Sequence, residues 1–523
     1  MASPYTKEHL RTGVKHFLLG RGLAGLAGFA TVILLVRYMD IQSYAGFTAL
    51  SGVVVFAGIL AGLGLERALS RYIPEARLKR TAQELGNFIW QISCLKLIAA
   101  LLAVAIIWIS WSLIPTYFQD VKLRQFPVAL AIFILAETLF QHFSGVLQAL
   151  MMQKALTRVM VVQWAGRLAM IFYFVGLYNN INLNDSLWIM ALPEMFGVLV
   201  FIAVIRQYLA TLISAESAAK VHALSTAATE PWPNWSAVAN MSLHNYGYTL
   251  LAAPPQGYFM KMVAALLLPT QLVAAYGFFI NLAERMRQYI PLHLLYNLIE
   301  PVMIANYLQD HNFKKLSDRC QLLYKSNLLL LLPMMGVFLV AGQEILSLLT
   351  AGKYQDYTWL FLLVLFQLTV GSHVVVLQLL LNSVDKSRML ISAGIVALCA
   401  MLIAVPLLSA LDVRFILIGP MLFSFVFNLY VMYQLKKMQL HYAFSWHTFS
   451  RMLFSCVVAI CFSFAVISQI KLVTTNLWLL ILTACCLMGL SYSASLWFFK
   501  AIIRSEVDLL KSFVMPHTKV PVL

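Results

Sequence analysis

The sequence predicts an all-α, polytopic membrane protein, and three observations carry that prediction. Of its 523 residues, 61% are hydrophobic. Only 11% are charged, against about 25% in an ordinary water-soluble domain. Apolar runs of about 18 or more residues recur from end to end, each long enough to cross the hydrocarbon core of a bilayer as a helix. A soluble chain of this length would split into several domains with charged surfaces. The apolar runs replace that picture with one continuous membrane unit.

The spans are expected, with ends uncertain by several residues, at about 14–38, 43–65, 86–113, 126–150, 157–178 and 186–205. After a polar stretch they continue at about 237–258, 270–298, 326–349, 357–381, 389–408, 415–435, 451–470 and 477–499. That makes about fourteen spans: about six in each of two lobes, and about two more at the C-terminus. The expected organisation is an N-terminal transmembrane lobe over 1–206, a cytoplasmic linker over 207–236 rich in Ala, Ser, Thr and Pro, a C-terminal lobe over 237–435, and the extra helices with a tail over 436–523. The span at 237–258 is interrupted by Pro254, Pro255 and Gly257. The first span carries Gly20, Gly22, Gly25 and Gly28. Interrupted helices at matching positions of two halves point to a transport site at the repeat interface.

Orientation follows from Lys and Arg, which accumulate in cytoplasmic loops. One set of alternating loops holds most of the 37 basic residues; the other holds Arg37, Lys122, Arg124, Lys353, Arg414 and Lys471. Both termini are therefore expected in the cytoplasm. The net charge of +16 reads as this topology signal together with attraction to anionic membrane lipids, not as a nucleic-acid footprint. No short apolar segment with a small-residue cleavage site opens the chain, so the first span is expected to act as the insertion signal. Of the seven cysteines, Cys320 is expected in a cytoplasmic loop and the rest in spans; none forms a CxxC pair or metal spacing, and no cofactor is implied. Signatures of nucleotide hydrolysis, zinc proteolysis and serine hydrolysis are absent, which speaks for a transporter and against an enzyme. The Asn234-Trp-Ser and Asn240-Met-Ser sequons fall on the cytoplasmic side of this topology. His244, His293 and His373 read as structural residues.

Ionisable groups inside hydrocarbon are costly and mark function by default. The basic ones are Arg21, Lys96, Arg167, Lys261, Arg285 and Arg287; the acidic ones are Glu137, Glu194 and Glu284. The basic excess predicts a cationic cavity suited to an anionic head group, because Arg binds phosphate oxygens through a fixed fork and Lys adds a mobile charge. The acids are candidates for ion coupling or charge tuning. Bland readings stand beside these. Lys96 and Lys261 can snorkel to an interface, Arg167 can pair with Glu137 or Glu194, and Glu284 can neutralise an arginine on its own helix. Gly58 with Gly62, and Gly20 with Ala24 and Gly28, give the four-residue spacing of close helix packing within the fold, or of dimerisation.

The segment Ala61-Gly-Leu-Gly-Leu-Glu-Arg-Ala-Leu-Ser-Arg-Tyr-Ile-Pro-Glu-Ala76 resembles the end of the second helix in Wzx-type polysaccharide flippases of the MOP (MATE-like) exporter superfamily. Leu348-Leu-Thr-Ala-Gly-Lys-Tyr354 resembles that family's Leu-Leu-x-x-Gly-x-x-Tyr stretch, and Leu381-Asn-Ser-Val-Asp-Lys386 its turn after the tenth helix. The family's Arg-x-Leu-Gly-x-x-x-Tyr-Gly pattern departs here to Arg37-Tyr-Met-Asp-Ile-Gln-Ser-Tyr44-Ala-Gly46, with the Leu-Gly replaced and one residue inserted before the glycine. The resemblance implies a monomeric flippase of the bacterial inner membrane. Such a protein carries undecaprenyl-diphosphate-linked oligosaccharide to the outer leaflet for O-antigen, capsule or exopolysaccharide assembly, alongside a polysaccharide polymerase and other assembly proteins. The alternatives are a MurJ-type lipid II flippase, a MATE-type drug antiporter, and a membrane-embedded polymerase or ligase. The last usually carries a large extracytoplasmic loop, and this sequence predicts only short ones.

Overall fold

The computed structural model describes residues 7–111, 127–220, 232–294, 310–384, 388–440 and 446–501, and single residues between them (296, 303, 307, 386, 442 and 444). The regular structure among them is helical. The chain divides into two compact units, Met1–Phe278 and Phe279–Leu523.

The first unit opens with α1 (Lys7–Tyr38), α2 (Ile41–Leu60), α3 (Leu65–Lys79) and α4 (Ala82–Ser110). Helix α2 starts where the sequence departs from the family pattern. Asp40 is its N-cap and accepts from the Ser43 amide at 2.8 Å and from the Ser43 hydroxyl at 2.6 Å, satisfying donors that the first helical turn leaves open. Its C-terminal end explains the Gly-Leu-Gly of the Ala61–Ala76 segment. Leu63 and Gly64 adopt left-handed backbone, with φ of 50° and 68°, which turns the chain sharply into α3. A Cβ on Gly64 would overlap the Ser242 carbonyl, so this position needs glycine both for its backbone angle and for its space. Helix α4 begins with a capping box: the Thr81 amide donates to Glu84 at 3.0 Å and the Glu84 amide to Thr81 Oγ1 at 3.2 Å.

Helices α5 (Val128–Ala149), α6 (Gln153–Tyr178) and α7 (Leu183–Lys220) follow. Helix α5 touches α2, α3, α4, α6 and α7. Helix α7 runs on to Lys220, into the stretch expected as a linker, and there Glu216 accepts from the Ala82 amide at 2.9 Å. A carboxylate is favourable at a helix N-terminus, where amides are unpaired. The apolar core on this side gathers Leu69, Phe88, Ile89, Phe143, Leu147 and Phe201.

The span expected at 237–258 is instead two helices, α8 (Trp235–Leu251) and α9 (Gly257–Leu267). Pro254 and Pro255 lie between them and supply no amide donors, so the helical ladder cannot continue through them. The span expected at 270–298 is shorter as a continuous helix. Helix α10 ends at Arg287 (Thr270–Arg287), and the amides of Tyr289 and Ile290 turn back to Met286 and Arg287 at 3.0 and 3.2 Å just before Pro291, a residue that restricts the one preceding it.

The second unit contains α11 (Phe313–Thr350), α12 (Thr358–Ser383), α13 (Arg388–Ser409), α14 (Gly419–Lys437), α15 (Trp446–Val473) and α16 (Leu477–Phe498). Helix α11 bends at Ala341, whose φ of −134° leaves the helical range. The Thr-Ala-Gly-Lys-Tyr motif is its stop. Ala351 and Gly352 turn left-handed, Tyr354 is fully buried, and its amide donates to Thr350 Oγ1 at 3.2 Å. At the Leu-Asn-Ser-Val-Asp-Lys stretch that ends α12, the Lys386 amide donates to the Leu381 carbonyl at 2.9 Å. The last two helices pack on α11 through Val340, Ala341, Ile467 and Ala484, and Lys471 of α15 pairs with Glu344 of α11 at 2.5 Å.

Eleven helices among the described residues are long and apolar enough to cross a membrane. The other expected spans fall on α1, on the broken α8–α9 pair and on α10. The protein is a multi-pass membrane protein.

Candidate functional site

The nine charged positions singled out in the sequence fall into separate groups. In the first unit, Arg167 and Glu194 form a buried ion pair, each exposed by only a few per cent (3% and 2%). Arg167 reaches Glu194 from α6 to α7 because the two helices come close there. Gly166 faces Pro193, and a Cβ on that glycine would stand 3.4 Å from the proline ring. One turn along α7, a Cβ on Gly197 would stand 2.6 Å from Phe140 of α5, so the small residue lets α5 close in as well.

Gln163, one turn before Arg167 on the same face of α6, donates to Glu194 Oε1 at 3.2 Å. The Trp164 ring covers the guanidinium at 4.2 Å from centroid to Cζ, a cation–π contact that strengthens away from water. Glu137 of α5 lies beside Glu194, within hydrogen-bonding reach, and is half-buried. Gln141, one turn on, donates its amide to Glu137. Two atoms in this cluster are buried and unpartnered, Glu194 Oε2 and Arg167 Nε.

Lys96 lies apart from that cluster. It is buried in α4, and its Nζ sits 3.2 Å from Glu66 Oε1 of α3. Glu66 is the acid of the Gly-Leu-Glu-Arg motif, so the left-handed turn at Gly64 delivers the carboxylate that neutralises Lys96. Nearby, Ser93 and His142 share a hydrogen bond of 2.9 Å. Lys261 is buried on α9, which packs against α2 at Gly52: a Cβ there would stand 3.4 Å from Lys261 Cβ and 2.6 Å from the Tyr258 carbonyl. The backbone of Arg21 belongs to α1; its side chain lies outside the described residues.

In the second unit, Glu284, Arg285 and Arg287 share the last turns of α10. Arg287 pairs with Glu284 at 2.9 Å, and both side chains stay open, at 41% and 42% exposure. Arg285 is half-buried. A cation in the last turn of a helix is favoured by the helix dipole, and both arginines stand in that turn.

The structure therefore joins Arg167, Glu194 and Glu137, and joins Glu284 with Arg287. Sequence reasoning missed Glu66, Gln163 and His142. Gln163 carried a signal, since it stands four residues from Arg167 on one helical face; the other two depend on which helices become neighbours. No group of three or more His, Cys, Asp or Glu among the described residues could hold a metal ion.

Residues 10–230 match the model of a family described as polysaccharide biosynthesis protein. That region of the chain is similar to this family. It covers nearly all of the first unit up to α7, including Arg167, Glu194, Glu137 and the Gly64 turn. No curated protein sequence matches the chain. Among solved structures, it is similar to the lipid II flippase MurJ in an inward closed conformation, with TM-score 0.65, 11% identity, and 93% of this chain and 99% of that one covered. It is also similar to the Vibrio cholerae MATE transporter VcmN, with TM-score 0.55, 15% identity, and 83% and 99% covered. An inward-facing multidrug resistance MATE transporter of the MOP superfamily gives TM-score 0.57 at 13% identity, covering 80% and 96%. At such identities the likeness is one of fold.

Proposed function

We propose that this protein is a flippase that moves undecaprenyl-diphosphate-linked oligosaccharide across the bacterial inner membrane for assembly of a surface polysaccharide. The observation that carries the reading is the joint occurrence of a polysaccharide-biosynthesis family match over 10–230 and a MOP-superfamily fold over most of the chain. Each half alone is less specific: the fold also serves drug transport, and the family description names no step.

The chemistry fits a lipid diphosphate. The half-exposed Arg285 and Arg287 at the end of α10 offer planar forks to phosphate oxygens, and Glu284 is the partner that Arg287 exchanges when the anion arrives. Arg21 is a further candidate for binding an anionic head group. Lys96 and Arg167, already matched by Glu66 and Glu194, hold helices in place. The lipid tail stays in hydrocarbon while the sugars and diphosphate cross by alternating access. Both termini are read as cytoplasmic from the distribution of Lys and Arg, and the working form is read as a monomer with membrane lipids around it.

A second reading has its own support: the MurJ likeness fits a lipid II flippase, which needs the same diphosphate grip with a different sugar and peptide. Depleting the protein from cells separates the two. The proposal expects lipid-diphosphate-linked oligosaccharide to build up in the cytoplasmic leaflet, with surface polymer lost and cell-wall synthesis continuing. Arrested wall synthesis with lipid II accumulation selects the second reading. Normal arrival of the oligosaccharide in the outer leaflet rejects both.

A further inference from the structure

The cluster of Arg167, Glu194 and Glu137 holds an imbalance of charge. One guanidinium faces two carboxyl groups, all on adjacent helices of the first unit. Fully ionised, the group carries a net negative charge in a place where Glu194 is 2% exposed. An uncompensated buried charge is costly, and so are two carboxylates sharing one site.

Of the described positive side chains on the surrounding helices, Arg37 of α1, Arg71 of α3, and Lys154 and Arg158 of α6 are exposed. Helix α2 contains no Asp, Glu, Lys, Arg or His. Lys96 of α4 is engaged with Glu66 of α3, and Arg77 of α3 donates to the Leu150 carbonyl at 2.7 Å. His142 of α5 is hydrogen-bonded to Ser93. On α7 itself, Asp185 is tied to Asn182, Arg206 lies over Trp90 and Glu216 caps α4. On α1, the side chains of Lys7, Glu8, Arg11, Lys15 and Arg21 lie outside the described residues.

The hydrogen bonds show where the compensation sits. Glu194 Oε1 receives Arg167 and Gln163, whereas Oε2 is buried with no donor. The neighbouring Glu137 carboxyl offers acceptor oxygens only, unless one of the two acids is protonated.

We infer that Glu137 and Glu194 share one bound proton, forming a proton-binding carboxyl pair beside Arg167. The proton gives Oε2 its missing hydrogen bond and brings the three side chains to zero net charge. It comes from solvent: Glu137 is half-buried and Gln141 on the same face is exposed, so Glu137 is the entry group and Glu194 the buried one. Release of the proton leaves two like charges between α5 and α7, helices held close at Gly197, and so favours their separation there. In the transport reading this pair makes the coupling ion a proton. Its use in coupling rests on that reading; the existence of the site does not.

The test is infrared difference spectroscopy on the full-length protein in lipid nanodiscs, with pH as the variable and no cargo present, so it stands or falls apart from the identity of the cargo. The wild type is expected to show the carbonyl stretch of a protonated carboxyl at neutral pH that disappears as the pair ionises at higher pH. Glu137→Gln and Glu194→Gln each remove that band, and Asp356→Asn in the second unit leaves it. Glu137→Gln is expected to fold, because its amide can donate the hydrogen bond that the proton makes. The inference is overturned if the wild type shows no such band, if the band survives both substitutions, or if sodium at constant neutral pH abolishes it, which would make the site one for a metal cation. The wild-type titration, with and without sodium, decides the matter even for variants that fail to fold.

Discussion

The charged groups of α6 and α7 and those of α10 meet the membrane in opposite ways. Arg167 and Glu194 are buried and locked to each other, with Trp164, Gln163 and Glu137 around them. Arg287 and Glu284 face each other across one helical turn with about two-fifths of each side chain open. A buried pair is held because removing either partner strands the other in low dielectric. An open pair contributes little to folding and can be given up when a better anion arrives. In the proposed reading, the difference suits the first cluster to architecture and proton binding and the second to cargo binding. Sequence alone marks all of them as intramembrane charges and leaves open which acid Arg167 pairs with.

Arg167→Ala is the strongest way to break the comparison. It leaves Glu194 buried without its cation and is expected to cost about 3–5 kcal/mol, seen as a large fall in the thermal midpoint of the detergent-solubilised protein and in its yield. Replacing both partners by apolar residues of similar volume, Arg167→Met with Glu194→Leu, is expected to recover most of that loss. A double variant as unstable as Arg167→Ala would show that the pair is not what the single change removes. Gly64→Ala comes next. A side chain there meets the Ser242 backbone at a φ of 68°, and strained backbone of this kind costs on the order of 1–3 kcal/mol. The Gly64 turn also presents Glu66, so limited proteolysis is expected to find α3 loosened from α4.

On α10 the expected effects on stability are small and those on transport large. Arg285→Gln with Arg287→Gln is expected to shift stability by under about 1 kcal/mol. Removing charged hydrogen bonds to the diphosphate, at about 1.5–3 kcal/mol each, is expected to weaken binding of the lipid-linked substrate by about ten- to hundredfold or more. Glu284→Gln is the smallest. It releases Arg287 from an exposed pair that contributes about 0.3–0.5 kcal/mol, so the thermal midpoint barely moves and affinity for the diphosphate rises slightly.

Much of the fold is legible in the sequence because membrane spans are written as length and hydropathy. Helices α2, α4 to α7 and α11 to α16 stand where apolar runs predict them. The exceptions have local causes. Pro254 and Pro255 split one expected span into α8 and α9, and the turn before Pro291 ends α10 early. Gly64 and Gly352, in the segments that carry the family resemblance, take positive φ at the ends of α2 and α11, a backbone detail the sequence reading did not state. Side-chain partners are harder to read. Gln163 was within reach of a helical-face argument. The pairing of Lys96 with Glu66 was not, because it depends on α3 folding back toward α4 after the turn at Gly64. For the same reason the sequence offers both Glu137 and Glu194 as partners of Arg167, and only the packing of α5, α6 and α7 shows both acids gathered at one guanidinium.

The most direct test of the central claim is reconstitution. Purified protein in proteoliposomes is given undecaprenyl-diphosphate-linked oligosaccharide, and the fraction reaching the opposite leaflet is followed over time. The wild type is expected to accelerate the crossing well above protein-free vesicles, and Arg285→Gln with Arg287→Gln to lose most of that acceleration while keeping the wild-type thermal midpoint. Crossing no faster than in empty vesicles would contradict the flippase reading, and full crossing by the double variant would contradict the assignment of the diphosphate to α10.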